Sequence, residues 1–278
     1  MRSGTWSLKT WIVAIPCLVL AVGSVPAQEA SPAPSPAPTS SASGLRSARL
    51  FLNFIEDATI VHRQWWEGQV EYSDSDPIDS ILVRGIVAFQ PIPSLEFGGR
   101  VGFGSTDTPA GIPEGTGATD LDAWGKYYFA TPAGATEFAA GGIATIPTGD
   151  DTAGLGYDAF SVGAFGSIRY NAKRFTLTGK VGIRMNGDGS ILGSPEANGD
   201  TSASAGAGVI WPWTNRLSFV GEANYEDGRF EGADSDSRAL GGIHWQLADQ
   251  GTLRAAVGFG LSDEAPDLQL IVGYAASF

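Results

Sequence analysis

The chain is poor in the side chains on which most enzymes and metal centres depend. Among 278 residues there is one cysteine, Cys17, and there are two histidines, His62 and His244. Cys17 falls inside an N-terminal segment that reads as removable, so the mature chain has neither disulfides nor thiolate chemistry. Such a chain suits an oxidising compartment, where a stray thiol is a liability. Cations are also scarce. Without Arg2 and Lys9 the mature chain keeps 15 basic residues against 30 acidic ones, a formal charge of −15, which excludes nucleic acid as a partner. After Ala27 no stretch approaches the roughly 18 consecutive apolar residues of a membrane-spanning helix, which excludes a helical membrane protein. Glycine, by contrast, is abundant at 38 residues, roughly twice ordinary usage, and favours glycine-rich β-structure.

The first 27 residues carry a targeting pattern. Arg2 and Lys9 form a basic start, Trp11 to Val25 is apolar and uncharged, and Val25-Pro26-Ala27 is a small-residue cleavage site. Residues 1–27 therefore read as a signal peptide. The alternative, an uncleaved anchor helix, must accommodate Pro16 within the run and Gln28-Glu29 directly after it. Residues 28–44, rich in Pro, Ala and Ser, read as a disordered tether. Residues 45–63 are apolar but alternate poorly, so they read as a lead-in segment. It is a short helix or a lumen plug, docked at the periplasmic mouth or inside the lumen.

From Gln64 to the end the pattern has period two. Twelve alternating segments begin at Gln64, Ser80, Ser94, Thr119, Thr136, Ala159, Phe175, Ser202, Arg216, Ser237, Thr252 and Leu268. Each is close to the roughly 9–11 residues that cross a bilayer as a tilted strand. The connections sort into two classes. Pro91-Ile92-Pro93, Thr131 to Ala135, Asn171 to Arg174, Thr214-Asn215 and Ala248 to Gly251 are tight. Ser73 to Asp79, Ser105 to Ala118, Thr148 to Asp158, Asn186 to Thr201, Asp227 to Asp236 and Ser262 to Asp267 are mostly longer and acidic. Alternation of the two classes predicts an all-β, transmembrane antiparallel up-and-down β-barrel of 12 strands over 64–278. It has short periplasmic turns and longer acidic extracellular loops. A soluble β-sandwich is the competing fold, but it does not sort its turns by length around an even set of strands.

Side-chain parity supports the membrane. One face carries Val83, Val87, Phe97, Val101, Phe103, Val181, Ile183, Val257 and no charge, as lipid contact requires. Phe89, Tyr127, Phe129, Tyr170, Phe175, Trp211, Phe219, Trp245 and the terminal Phe278 gather near the short turns, as an interfacial girdle does. The opposite face holds the charged residues and is predicted to be a wet or internally salt-bridged lumen. Its pore-lining candidates are Arg84, Glu96, Arg100, Asp122, Trp124, Lys126, Arg169, Lys180, Arg184, Glu222, Arg238, His244 and Arg254. Charges of both signs at mid-depth suit either a transverse field across a narrow pore or a salt-bridged filling. Inward Trp65, Trp124, Tyr128 and Phe165 beside cations suit small amphipathic or aromatic solutes.

Particular motifs carry a family resemblance. Arg84-Gly85 followed, after a turn, by Leu95-Glu96-Phe97-Gly98-Gly99-Arg100-Val101 resembles the second and third strands of the family named Putative MetA-pathway of phenol degradation. Asp120 to Phe129, ending Lys126-Tyr127-Tyr128-Phe129, is similar to that family's glycine-aspartate strand, with Thr119 in place of the glycine. Ile146-Pro147-Thr148-Gly149-Asp150 is similar to the start of one of its loops. The resemblance spans roughly Gln64 to Phe278. It implies a Gram-negative outer-membrane barrel associated with uptake of small, including aromatic, molecules, and it assigns no functional residues.

No catalytic, cofactor or metal site is read from the sequence. His244 has inward parity, whereas barrel enzymes that act on lipid work from the outward face. The acidic stretches Asn186 to Ser190 and Asp234 to Ser237 do not complete a calcium loop. The expected location is the outer membrane after export. Expected partners are outer-membrane lipid and lipopolysaccharide, the barrel-assembly machinery through the last strand ending Phe278, and an unidentified small solute. The competing functions are a closed-lumen structural or surface-interaction barrel and a lipid-directed enzyme.

Overall fold

The computed structural model describes residues 48–61, 64–75, 78–108, 115–129, 135–191, 194–247 and 251–277. The expected signal peptide, the tether, His62 and the terminal Phe278 lie outside these residues. Twelve long strands are present: β1 (Gln64–Asp74), β2 (Asp79–Ile92), β3 (Leu95–Asp107), β5 (Leu121–Phe129), β6 (Thr136–Ile146), β7 (Ser161–Asn171), β8 (Thr176–Asn186), β11 (Thr201–Pro212), β12 (Leu217–Glu226), β13 (Asp236–Gln246), β14 (Gly251–Gly260) and β15 (Leu268–Ser277). They correspond one for one to the segments delimited by alternation. Three short strands, β4 (Gly115–Ala118), β9 (Gly189–Ile191) and β10 (Ser194–Ala197), sit inside the long connections and were not expected.

Every long strand pairs antiparallel with its sequence neighbour among the twelve, and β15 returns to β1. Trp66 lies opposite Ala276 on one side and Val87 on the other, so the twelve long strands close on themselves and none of them is left as a bare edge. The short turns are built from local chemistry. In the β11–β12 turn, Thr214 Oγ1 accepts hydrogen bonds from the Arg216 and Leu217 amides at 3.2 and 2.9 Å. The outer face is the apolar one: Val181, Phe103 and Val87 are exposed, while Lys180, the inward neighbour of Val181, is buried. Alternation over roughly ten residues per strand thus produces a lipid-facing band, and the aromatic side chains at its lower rim pack on one another, as Trp211 does on Trp213 and Phe219.

Residues 48–61 lie inside the barrel and form a plug. One helical turn, with the Asp57 amide donating to the Asn53 carbonyl at 3.0 Å, compacts the segment. Phe54, Ile55 and Val61 pack on inward-facing Ile86, Trp124, Ile143 and Phe165. Leu50 and Phe51 pack on inward-facing Ile210, Val220, Leu240 and Ile271. A lumen expected to be wet or merely salt-bridged therefore contains two dry clusters. Parity reports which side chains point inward, and it is silent on whether water or protein meets them there.

The strand β11 makes room for this segment. Its inward positions Ser202, Ser204, Gly206 and Gly208 are all small. A Cβ on Gly206 would overlap the Asn53 side chain, and one on Gly208 would lie 2.9 Å from Leu50. Burying each large apolar side chain of the plug contributes roughly 1.5–3 kcal/mol. Ordering costs about 1–2 kcal/mol for each residue fixed. These terms are comparable, so the polar anchors decide how firmly the segment is held.

Candidate functional site

The lumen has two tiers. In the lower tier, toward the short turns, charged side chains from five strands grip the main chain of the plug. Glu96 on β3 accepts hydrogen bonds from the Val61 amide at 2.7 Å, from Trp124 Nε1 at 3.1 Å and from the Arg49 guanidinium, and it lies 3.3 Å from Lys126 Nζ. Lys126 on β5 donates to the carbonyls of Ile55, Asp57 and Thr59 at 3.1, 2.8 and 2.9 Å. Arg169 on β7 pairs with Asp57 at 2.7 Å and donates to the Ala48 carbonyl at 3.1 Å.

On the opposite wall Glu222 of β12 accepts three consecutive plug amides, those of Phe51, Leu52 and Asn53, at 2.5, 2.9 and 3.1 Å. Arg254 of β14 pairs with Glu67 of β1 and donates to the carbonyls of Arg49 and Leu50 at 3.0 and 2.7 Å. Its guanidinium also lies over the Phe51 ring, 4.4 Å from the centroid. Ionised groups this deeply buried are stable only when paired and hydrogen-bonded, and the plug supplies much of that pairing.

The upper tier, toward the long loops, is more open and its pairs lie within the barrel wall. Arg100 binds Asp122 through Nε and Nη2 at 3.0 and 2.5 Å, Arg84 binds Glu71 at 2.7 Å, and Arg238 pairs with Asp236. Arg84 and Arg100 keep more than a quarter of their side-chain surface exposed. Between the tiers, Glu56 of the plug faces Lys180 of β8 at 3.6 Å.

The long loops cover the upper rim. The β6–β7 loop drops Ala153 and Leu155 onto Leu82, and Thr106 Oγ1 donates to the Ala153 carbonyl at 2.6 Å. Asp150 in this loop accepts from Thr152 Oγ1 and the Ala153 amide, and these hydrogen bonds hold its carboxyl below the usual range. Phe230 of the β12–β13 loop is buried, its ring 5.8 Å from that of Tyr157. Asp188 accepts the Gly199 amide at 3.0 Å and so braces the β8–β11 connection. Among the described residues no group of three or more His, Cys, Asp or Glu side chains is arranged to hold a metal ion.

The residues singled out in the sequence therefore divide by depth. Glu96, Trp124, Lys126, Arg169, Glu222, His244 and Arg254 are buried in the lower tier; Lys180 meets the plug through Glu56. Arg84, Arg100, Asp122, Arg184 and Arg238 stand in the more open upper tier. His244 Nε2 accepts from Arg254 Nε at 3.2 Å, and its ring lies 5.0 Å from that of Phe51, which ties it to the plug seat. Sequence reasoning did not single out Arg49, Asn53 and Asp57. Their signal was polar residues set into an otherwise apolar lead-in.

Comparison with solved structures places the fold. The COG4313 outer membrane channel from Pseudomonas putida F1 is 15% identical, with a TM-score of 0.66 over 80% of this chain and 98% of that one. The NanC porin is 7% identical, with a TM-score of 0.56 over 77% and 100%. The KdgM porin in complex with disordered oligogalacturonate is 8% identical, with a TM-score of 0.53 over 76% and 99%. No curated protein matches the chain in sequence. The fold is that of an outer-membrane β-barrel. A family model, described as Putative MetA-pathway of phenol degradation, matches residues 75–278, and the chain belongs to that family.

Proposed function

We propose that this protein is a passive outer-membrane channel for small amphipathic solutes, aromatic ones included, and that residues 48–61 hold it closed in the state described above. One observation carries this reading. The segment that fills the lumen is held by ion pairs and main-chain hydrogen bonds at one level, while the level above it remains polar and partly exposed. A filling meant only to stiffen a barrel has no need of a second, charged and accessible tier. The printed descriptions of similar structures, an outer membrane channel and two porins, support the same direction.

Export begins with residues 1–27 acting as a signal peptide, and assembly uses the β15 strand as the recognition element for the barrel-assembly machinery. The apolar face then meets lipid. The acidic loops face lipopolysaccharide, whose phosphates they approach through shared divalent cations. The depth at which Phe54, Lys126 and Arg169 are buried favours a second reading, a permanently closed structural barrel. A catalytic role gains no support from His244, whose ring nitrogen is engaged by Arg254. Planar-bilayer recordings separate channel from closed barrel: the channel reading expects conductance to rise when residues 48–61 are loosened, and the structural reading expects silence throughout.

A further inference from the structure

The seat of the plug reads main chain. The carbonyls of residues 48–50, 55, 57 and 59 are held by Arg169, Arg254 and Lys126, and the amides of residues 51–53 and 61 by Glu222 and Glu96. A common way to bind a peptide is to offer it a strand edge, and a closed barrel has none to offer. Here inward ionised side chains take the place of that edge: cations meet carbonyls and carboxylates meet amides. Charge-assisted hydrogen bonds of this kind are roughly twice as strong as neutral ones, and they ask nothing of the peptide's side chains.

The seat is also built to stand empty. Each cation that grips the plug has a carboxylate of the wall as a further partner: Lys126 has Glu96 at 3.3 Å, Arg169 has Glu137 at 3.8 Å, and Arg254 has Glu67. Withdrawal of the plug therefore strands none of them as an uncompensated buried charge, the condition that makes a broken pair costly. The way out is open as well. Ala48 is tied to Arg169 near the end of β7 and Val61 to Glu96 at the start of β3, so both ends of the segment lie at the short-turn rim. Glu56, near the bend, reaches Lys180 in the middle of β8. A loop that enters and leaves by one mouth is withdrawn, or replaced, without threading through the barrel.

We propose that the lower tier is a binding site for short peptides that carry large apolar residues and one carboxylate, that residues 48–61 are its tethered resident, and that a free peptide of this chemistry takes their place. The main-chain contacts hold any such peptide. The two dry clusters, which receive Phe54 and Ile55 on one side and Leu50 and Phe51 on the other, select apolar side chains. Arg169 selects the carboxylate that stands where Asp57 does. The resident acts at a high effective concentration because it is tethered, and it keeps free peptide out until its own hold is weakened.

The inference names a class of occupant for the channel proposed above and rests on that reading only for its sense in uptake. The full chain in lipid nanodiscs is titrated into a fluorescein-labelled peptide with the sequence of residues 48–61, followed by anisotropy, with empty nanodiscs as the blank. Wild type is compared with the plug variant Phe54→Ala/Asp57→Ala, whose wall is untouched, after both show heat-modifiable mobility. The variant is expected to bind the peptide on the order of tenfold more tightly than wild type, and unlabelled peptide displaces it. Methylating the peptide's amide nitrogens at Leu52 and Asn53 removes two donors to Glu222 and abolishes the gain, whereas leucine in place of Phe51 and Ile55 in the peptide preserves it. Equal binding by wild type and the plug variant, no displaceable binding by either, or a gain that survives methylation overturns the proposal. A barrel that binds peptide in this pattern yet never conducts keeps the site and loses the channel; one that conducts without the pattern keeps the channel and loses the site.

Discussion

Arg169 on the barrel wall and Asp57 of the plug meet at 2.7 Å with both side chains fully buried, the most enclosed ion pair joining the two parts of the molecule. Thr178 adds a hydrogen bond to the second carboxylate oxygen at 3.3 Å. Removing one partner of a buried pair costs about 3–5 kcal/mol, because the other charge is left without compensation. Asp57→Ala is therefore expected to raise amide hydrogen exchange of residues 48–61 by two or more orders of magnitude, roughly the exchange equivalent of that loss. Strand amides of the barrel should keep their protection. Unchanged exchange in the plug would show that Asp57 is not an anchor.

Space, not charge, is tested at Gly208. A Cβ at this position would lie 2.9 Å from a methyl carbon of Leu50, well inside van der Waals contact. Gly208→Val leaves the lipid face of β11 untouched and crowds the plug seat. The variant should assemble as a heat-modifiable barrel whose residues 48–61 have become accessible to protease. A barrel with a protected plug would mean that the seat accommodates the added volume.

The proximity of Asn53 to Gly206 can be turned into a lock. A Cβ at Gly206 overlaps the Asn53 side chain, so cysteines at the two positions are near disulfide distance. No cysteine follows Cys17, and the pair would be the only thiols of a chain freed of its signal peptide. Asn53→Cys with Gly206→Cys should form an intramolecular disulfide on oxidation, seen as the loss of two free thiols by mass. Persisting free thiols in a folded barrel under oxidant would place the segment elsewhere.

Lipid exposure is tested by neighbours of opposite parity. Val181 is among the most exposed apolar residues of the outer face, and Lys180 beside it is buried inside. Val181→Arg is expected to lower the stability of the vesicle-embedded barrel by about 2–4 kcal/mol, measured by guanidinium-induced unfolding. A neutral effect would contradict a lipid-facing β8.

The strands were legible because a lipid-facing wall imposes a rule that a single sequence cannot hide. Val83, Val87, Val101 and Val181 had to be uncharged, and Arg84, Arg100 and Lys180 had to point the other way. The plug was less legible for a physical reason. Leu50, Phe54 and Ile55 follow no period because an irregular segment wrapped by protein on every side needs none. The strand that receives it did carry a trace, since Ser202, Ser204, Gly206 and Gly208 leave a concave, side-chain-poor stripe on an otherwise charged inner face. The β4, β9 and β10 strands were invisible because their Gly- and Pro-rich sequences lack alternation, and β4 at least is defined by the β3 rim against which it folds.

The most direct measurement is the single-channel conductance of the barrel with and without residues 48–61, in planar bilayers, after both proteins pass the heat-modifiability check. A plug that closes the lumen predicts small or brief openings from the full chain and a steady conductance several-fold larger from the deletion. Equal conductance in the two proteins, or silence in both, would contradict a channel held shut from within.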